Sequence, residues 1–280
     1  MTHFYLTLPS NSSAKYYPGN TVANYLTRLQ APISLTGEWE VALAELIFPR
    51  SWYTYKGGPA EIKISCRDCE DVDSLYYSVD IPLSAGYYGN IADLIKVINA
   101  SINRTFSPPP CTELYPHLPK HHENHTTPKL TYDDVKNTMS IFVPPHMDVE
   151  FCNTLCSMLG ISQDQNTFRN RDSNGVSYVE SNVCDPQGDV HSLYVYCDIL
   201  EYIPIGDTKA PLLRIVETKG GNGEVQHRSF DHLRYVPIQK KQFDTIEIDI
   251  RNGFGEKMPF EGGQVTATLH FRLARSPYFL

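Results

Sequence analysis

From Gln264 to Leu273 polar and apolar residues alternate without a break, with Val265, Ala267, Leu269, Phe271 and Leu273 on one side. A two-residue period of that length predicts a strand with one buried face. Ile246, Ile248 and Ile250 alternate in the same way with Glu247, Asp249 and Arg251. Between the two segments lie Asn252-Gly253-Phe254-Gly255 and Glu261-Gly262-Gly263, turn residues that predict an antiparallel hairpin closed by a long loop. Trp39 to Phe48 is apolar on both faces apart from Glu40 and Glu45, and Leu193 to Leu200 alternates more weakly; both are expected as central strands. Shorter strand candidates are Phe4–Leu8, Ala23–Leu29, Glu61–Cys66, Tyr76–Ile81, Lys129–Tyr132, Met139–Val143, Leu212–Val216 and Leu233–Ile238.

Two segments break this pattern. Asn90 stands as an N-cap before Ile91, Leu94, Ile95 and Ile98, one apolar stripe at helical spacing. Phe151, Leu155, Met158 and Leu159 repeat the spacing, with Gly160 where a helix C-cap is expected. Both are read as short helices against the ends of a sandwich. Arg104–Pro128, with three consecutive prolines and four histidines, and Ser162–Val190, rich in Asn, Asp and Gly, are read as surface insertions. Many strands, few helices and frequent turn residues make the chain all-β, a sandwich or a barrel. No internal repeat is visible, so two tandem copies of one β-domain are not expected.

At 280 residues, 41% hydrophobic and 20% charged, the composition is that of a folded chain, and β-sandwiches of this length occur as one domain. A single domain spanning residues 1–280, with insertions near 104–128 and 162–190, is therefore expected. The formal net charge of −8 argues against direct nucleic-acid binding, which rests on Lys and Arg. Residues 57–216 hold 21 acidic against 11 basic side chains, so the acidic excess falls where the longest loops are expected. No secretory signal pattern opens the chain and no apolar run is long enough for a membrane helix, which leads to the expectation of a soluble protein made in the cytosol. On that expectation the sequons at Asn11, Asn99, Asn103 and Asn124 are chance matches, and the seven cysteines are free thiols.

Candidate chemistry is sparse. Cys66 and Cys69 have metal-knuckle spacing, and Cys111, His117, His121, His122 and His125 form a second group; the absence of another Cys pair at this spacing favours solvated loop residues over zinc. Cys152 and Cys156 fall four apart beside Phe151 and Leu155 and read as buried small hydrophobes. The Gly-x-Ser-x-Gly, Walker and His-Glu-x-x-His patterns are missing, and the glycine runs at Gly57-Gly58 and Gly220-Gly221 read as turns. No catalytic residue, metal or cofactor is expected.

Three blocks in register resemble minor capsid proteins of Polinton/Maverick (adintovirus-like) elements. The first runs Tyr16-Tyr17-Pro18-Gly19-Asn20-Thr21-Val22-Ala23-Asn24-Tyr25 and on to Leu35-Thr36-Gly37-Glu38-Trp39-Glu40-Val41-Ala42-Leu43. The second is Leu193-Tyr194-Val195-Tyr196-Cys197-Asp198-Ile199 with Ile205-Gly206-Asp207 and Pro211-Leu212-Leu213-Arg214. The third is Pro259-Phe260-Glu261-Gly262-Gly263-Gln264-Val265 leading into Thr268-Leu269-His270-Phe271-Arg272. The resemblance implies a jelly-roll β-sandwich with long inserted loops, acting as a penton: a homopentamer at the vertices of an icosahedral virion, set among double jelly-roll major capsid proteins. It implies no catalysis, no membrane span, and synthesis in the host cytoplasm.

Read physically, the motif residues are fold determinants: Gly37 and Gly262-Gly263 supply tight turns, and Trp39 a large aromatic whose N–H needs a partner. The apolar termini, Phe4–Leu8 and Pro277–Leu280, are candidate arms, with docking on their own subunit the simpler reading. The main alternative is a non-viral, lectin-like jelly-roll module using some of the 18 tyrosines on a sugar; a metal-dependent enzyme is a third.

Overall fold

The structure is a computed structural model that describes residues 2–58, 61–67, 75–106, 127–180, 182–185 and 190–274. The chain opens with β1 (His3–Pro9), β2 (Asn24–Ser34) and β3 (Trp39–Pro49). It continues with β4 (Ile62–Arg67), β5 (Leu75–Ile81), α1 (Ile91–Phe106), β6 (Lys129–Asp133), β7 (Thr138–Val143), β8 (Met147–Phe151), α2 (Asn153–Leu159), β9 (Thr167–Arg169) and β10 (Val176–Val179). The last part holds β11 (Ser192–Cys197), β12 (Ile203–Ile205), β13 (Thr208–Ala210), β14 (Leu212–Glu217), β15 (Val225–Ser229), β16 (Val236–Pro237), β17 (Gln242–Arg251) and β18 (Thr266–Leu273).

These elements divide into two compact units, residues 1–52 with 189–280, and residues 53–188. The buried side chains likewise form two separate clusters, so the one contiguous core expected from the sequence is not what the chain builds. The sequence pattern shows that a face is apolar without showing which other face covers it.

The first unit is a sandwich. One sheet runs β1-β18-β3-β15, with β16 also on β3, and the other runs β14-β11-β17-β2. With β15 and β16 taken together as one position, the strands of the two sheets stand in the chain orders 1-8-3-6 and 2-7-4-5, the double Greek key of a jelly roll. β3 and β11 are central in their sheets, as their apolar sequences predict. Trp39, Val265, Leu269 and Phe271 are all within 9% of full burial, and Ala267 is buried beside them, but Leu273, expected on the same side, lies at the strand's end and is 43% exposed.

The expected hairpin between Ile246–Arg251 and Gln264–Leu273 does not form. β17 pairs with β11 and β2, whereas β18 pairs with β1 and β3. Residues 252–265 carry the chain from one sheet to the other, so Ile246, Ile248 and Ile250 enter the same core as Leu269 and Phe271 from the opposing sheet. A bulge explains why β3 looks apolar on both faces. Thr268 pairs with Glu45 and Leu269 with Leu43, which leaves Ala44 as an extra residue. The inward parity therefore switches from Val41 and Leu43 to Leu46 and Phe48.

The second unit has sheets β5-β4-β8-β9 and β10-β7-β6. Asn90 caps α1, its Oδ1 accepting the Asp93 N–H at 2.8 Å, and Ile91, Leu94, Ile95, Ile98 and Ile102 form the buried stripe. Gly160 ends α2 with a left-handed φ of 71°. Both helices thus belong to this unit's core rather than to the jelly-roll's ends. Phe151, expected in the second helix, is the last residue of β8, which is buried at every position but Glu150 and so lacks alternation. Ser162–Val190 is also more ordered than a surface excursion. β9 pairs with β8, β10 pairs with β7, and Phe168, Asn170 and Cys184 are buried. Most of 104–128 lies outside the described residues.

Candidate functional site

The turn residues of the three sequence blocks and their neighbours sit at the ends and edges of the jelly roll. Tyr17, Pro18 and Gly19 form the turn before β2, and Asn20 fixes that strand's start: its Nδ2 donates to the Leu26 carbonyl at 2.9 Å and its Oδ1 accepts the Leu26 N–H at 3.0 Å. Gly37 adopts φ 89° and delivers Trp39 into the core, where the indole Nε1 donates to the Thr36 carbonyl at 3.0 Å. Glu40, on the outer face of β3, receives the Arg272 guanidinium. Gly206 and Asp207 form the exposed turn joining β12 to β13.

Phe260 packs edge-on against Trp52 at 5.8 Å, and the Glu261 N–H reaches the Ser51 carbonyl at 3.2 Å. The Gly262 carbonyl accepts from Ser51 Oγ at 2.8 Å. Of the two adjacent glycines only Gly263 needs its freedom: φ is 92°, and a Cβ there would stand 2.7 Å from Pro49 Cγ. Backbone placement thus accounts for most of these residues, and none of them is brought to a common chemical centre.

Two features lie on the outer faces of the sheets. On the β1-β18-β3 sheet, His270 Nδ1 is 2.7 Å from the Tyr235 hydroxyl and His270 Nε2 is 3.3 Å from His3 Nδ1. Tyr5 stacks on the same imidazole at 4.3 Å, and the Arg272 guanidinium lies 3.4 Å over the Tyr235 ring. Nothing in the local sequence marked this cluster, because its members come from opposite ends of the chain.

On the other sheet, a cleft of about 630 Å³ opens between the β12–β13 hairpin and β17, with Tyr196, Tyr202, Asp198, Glu247, Asp249 and Arg251 among its walls. Its charges are largely matched from within. Arg251 Nε donates to Asp249 at 2.8 Å, Lys240 Nζ to Asp198 at 2.5 Å, and Asn24 Nδ2 to Glu247 at 2.7 Å. An aromatic-rimmed cleft is what a sugar-binding reading asks for, yet these internal pairs leave few donors to offer a saccharide.

The thiols are placed for packing. Cys197 and Cys156 are buried, and burial pushes each thiol up to about 12; Cys184 is raised to about 11 for the same reason. A thiol held that far from ionising is a poor nucleophile and a poor metal ligand. Cys69, Cys111 and the histidines from His117 to His125 lie outside the described residues, as does Pro277–Leu280. Among the described residues no three His, Cys, Asp or Glu side chains gather as a metal site, and no helix is long and apolar enough to cross a membrane.

No protein-family profile and no curated protein matches the chain. Solved structures do. The crystal structure of the mavirus penton protein superposes with a TM-score of 0.53 over 98% of this chain and 100% of that one, at 9% identity. A chain of the Sputnik virophage, solved by cryo-EM, gives 0.48 over 98% of each chain at 10% identity. The mavirus alignment spans residues of both units, so the likeness of fold is not confined to the jelly roll.

Proposed function

We propose that this chain is a structural capsid protein of penton type, which assembles as a homopentamer and closes the five-fold vertices of an icosahedral particle built from double jelly-roll major capsid proteins. The observation that carries the proposal is the full-length correspondence with the mavirus penton protein, which includes the unit inserted between β3 and β11. A jelly roll by itself is shared by capsids, lectins and cupins; the same insertion in the same host fold is a narrower coincidence. The three sequence blocks that resemble Polinton/Maverick minor capsid proteins lie in the jelly-roll unit and support the same reading. The motif residues act as fold determinants, and catalysis has no part in it.

The mechanism is geometric. Five copies must each present one patch to a different patch on the next, a heterologous interface that closes after five steps. The edge strands offer such patches. Among the described residues β1 pairs on one side only, and its sequence His3-Phe4-Tyr5-Leu6-Thr7-Leu8-Pro9 carries no Lys, Arg, Asp or Glu to discourage further contact.

The test is co-expression with the double jelly-roll major capsid protein, followed by mass measurement of the vertex component. The expected species has a mass near 159 kDa, about five copies of the 31.8 kDa chain. A stable trimer or a twofold dimer, or assembled particles whose vertices lack the protein, overturns the proposal.

A further inference from the structure

We infer that the His3–His270 contact is an acid-release latch: it clips the start of β1 to the end of β18 while the imidazoles are neutral and frays that end of the ladder once both are protonated. The inference concerns the jelly-roll unit alone.

The geometry sets up the response. A neutral imidazole has one donor and one acceptor nitrogen. The Tyr235 hydroxyl, His270 Nδ1, His270 Nε2 and His3 Nδ1 therefore form one continuous hydrogen-bonded chain, with contacts of 2.7 Å and 3.3 Å. A first proton is tolerated, shared between the facing nitrogens as N–H⁺···N. A second leaves two donors and two positive charges opposed across 3.3 Å, with no acceptor between them.

The surroundings sharpen this. From β1, His3 and Tyr5 face His270; from its own strand, Arg272; from the segment before β16, Tyr235; and from β3, Glu40, whose carboxylate is already taken by Arg272. The set contains one fixed cation and one anion committed to it, so among the described residues nothing remains to neutralise an imidazolium pair. Partial burial first, then His3 and Arg272, hold His270 below the ordinary imidazole range. For a base depressed in the folded state, the stabilisation is complete above the unfolded pKa, about 6.5, and is lost as pH falls below it.

The latch lies where a local charge can matter. Among the described strands β1 pairs with β18 alone, and the pairing ends at His3 opposite Arg272, with one further bond from the Leu273 N–H to the Thr2 carbonyl at 3.0 Å. The other end is anchored more firmly. Leu8 is buried, and its carbonyl accepts from the Tyr25 hydroxyl at 3.1 Å. Opening is thus confined to the first few pairs, the kind of sub-global fraying that terminal strands undergo.

Hydrogen exchange on the full-length protein, corrected for the intrinsic pH dependence of exchange, tests the inference. Between about pH 7.5 and about pH 5.0, protection at Phe4 and Leu6 and at Phe271 and Leu273, the amides turned into this ladder, should fall about tenfold or more, while protection at Leu8 and Ala267 stays level. In His270→Gln and in His3→Gln, which keep polar side chains but cannot titrate, the response should shrink to about twofold or less. If His270→Gln does not fold, His3→Gln, at an exposed position, decides alone. Unchanged protection in the wild type, a uniform loss across the sandwich, or a full acid response that survives in a folded variant overturns it.

Discussion

The Tyr25 hydroxyl donates to the Leu8 carbonyl at 3.1 Å, and both residues are about 1% exposed. Tyr25 belongs to β2 and Leu8 to β1, so this single bond joins the two sheets through the core. Burial drives the phenol well above its ordinary pKa, so it remains a donor at any physiological pH. Tyr25→Phe keeps the ring and removes the link. The expected cost is about 1–2 kcal/mol, read as a lower denaturant midpoint with an unchanged m-value.

Two glycines with positive φ should respond differently to alanine. Gly263 has φ 92° and no room, with Pro49 Cγ 2.7 Å from an added Cβ, whereas Gly206 has φ 58° and nothing within 4 Å. Gly206→Ala should cost about 1 kcal/mol, the conformational penalty alone. Gly263→Ala should cost about 2–4 kcal/mol, because strain and steric conflict combine. Thermal unfolding of the two variants side by side checks the ranking, and equal losses would contradict it.

Asn99 is the hinge between helix and sheet in the inserted unit. Its Nδ2 donates to the Leu130 carbonyl at 2.8 Å and its Oδ1 accepts the Leu130 N–H at 2.9 Å, so one amide stands in for a neighbouring strand on β6. Asn99→Ala should destabilise the inserted unit by about 1–3 kcal/mol, with Asn99→Asp intermediate because it retains the acceptor. Amide exchange at Leu130 is the local readout.

With separate cores, the two units should unfold separately. A fragment covering residues 53–188 is expected to fold with a cooperative transition of its own. In the full chain, Asn170→Ala should lower that transition and leave the jelly-roll transition in place. Asn170 is 1% exposed, and its Nδ2 lies 2.9, 3.0 and 2.8 Å from the carbonyls of Val143, Pro144 and Asn174. A single transition that shifts as a whole in calorimetry would show that the units are coupled.

Sequence reading succeeded where one face is wet and one dry. β17 and β18 declare their buried sides by alternation, and Asn90 and Gly160 mark helix ends by residue type alone. It failed where the information is relational. Alternation in β17 and β18 says that both face a core but not that they face it from opposite sheets. β8 is covered on both sides, so its strand period is erased and Phe151 was drawn into a helical pattern. β9 and β10 span three and four residues, too short for a period to register. The His3–His270 contact joins positions 267 apart, a distance that no local pattern crosses.

The partnership of β1 with β18 also sets a timetable. Among the described strands the first in sequence pairs with the last, over positions as far apart as His3 and Arg272. At ribosomal speeds of ~5–20 residues per second, β1 waits on the order of tens of seconds for its neighbour to emerge. Throughout that interval Phe4, Leu6 and Leu8 have no sheet to cover them and no charged residue among them to discourage other strands. The inserted unit, contiguous at 53–188, has no such delay and can be complete before β11 leaves the tunnel. The newborn jelly roll is therefore most exposed to aggregation at its amino-terminal strand, and chaperone protection would matter there rather than at its loops.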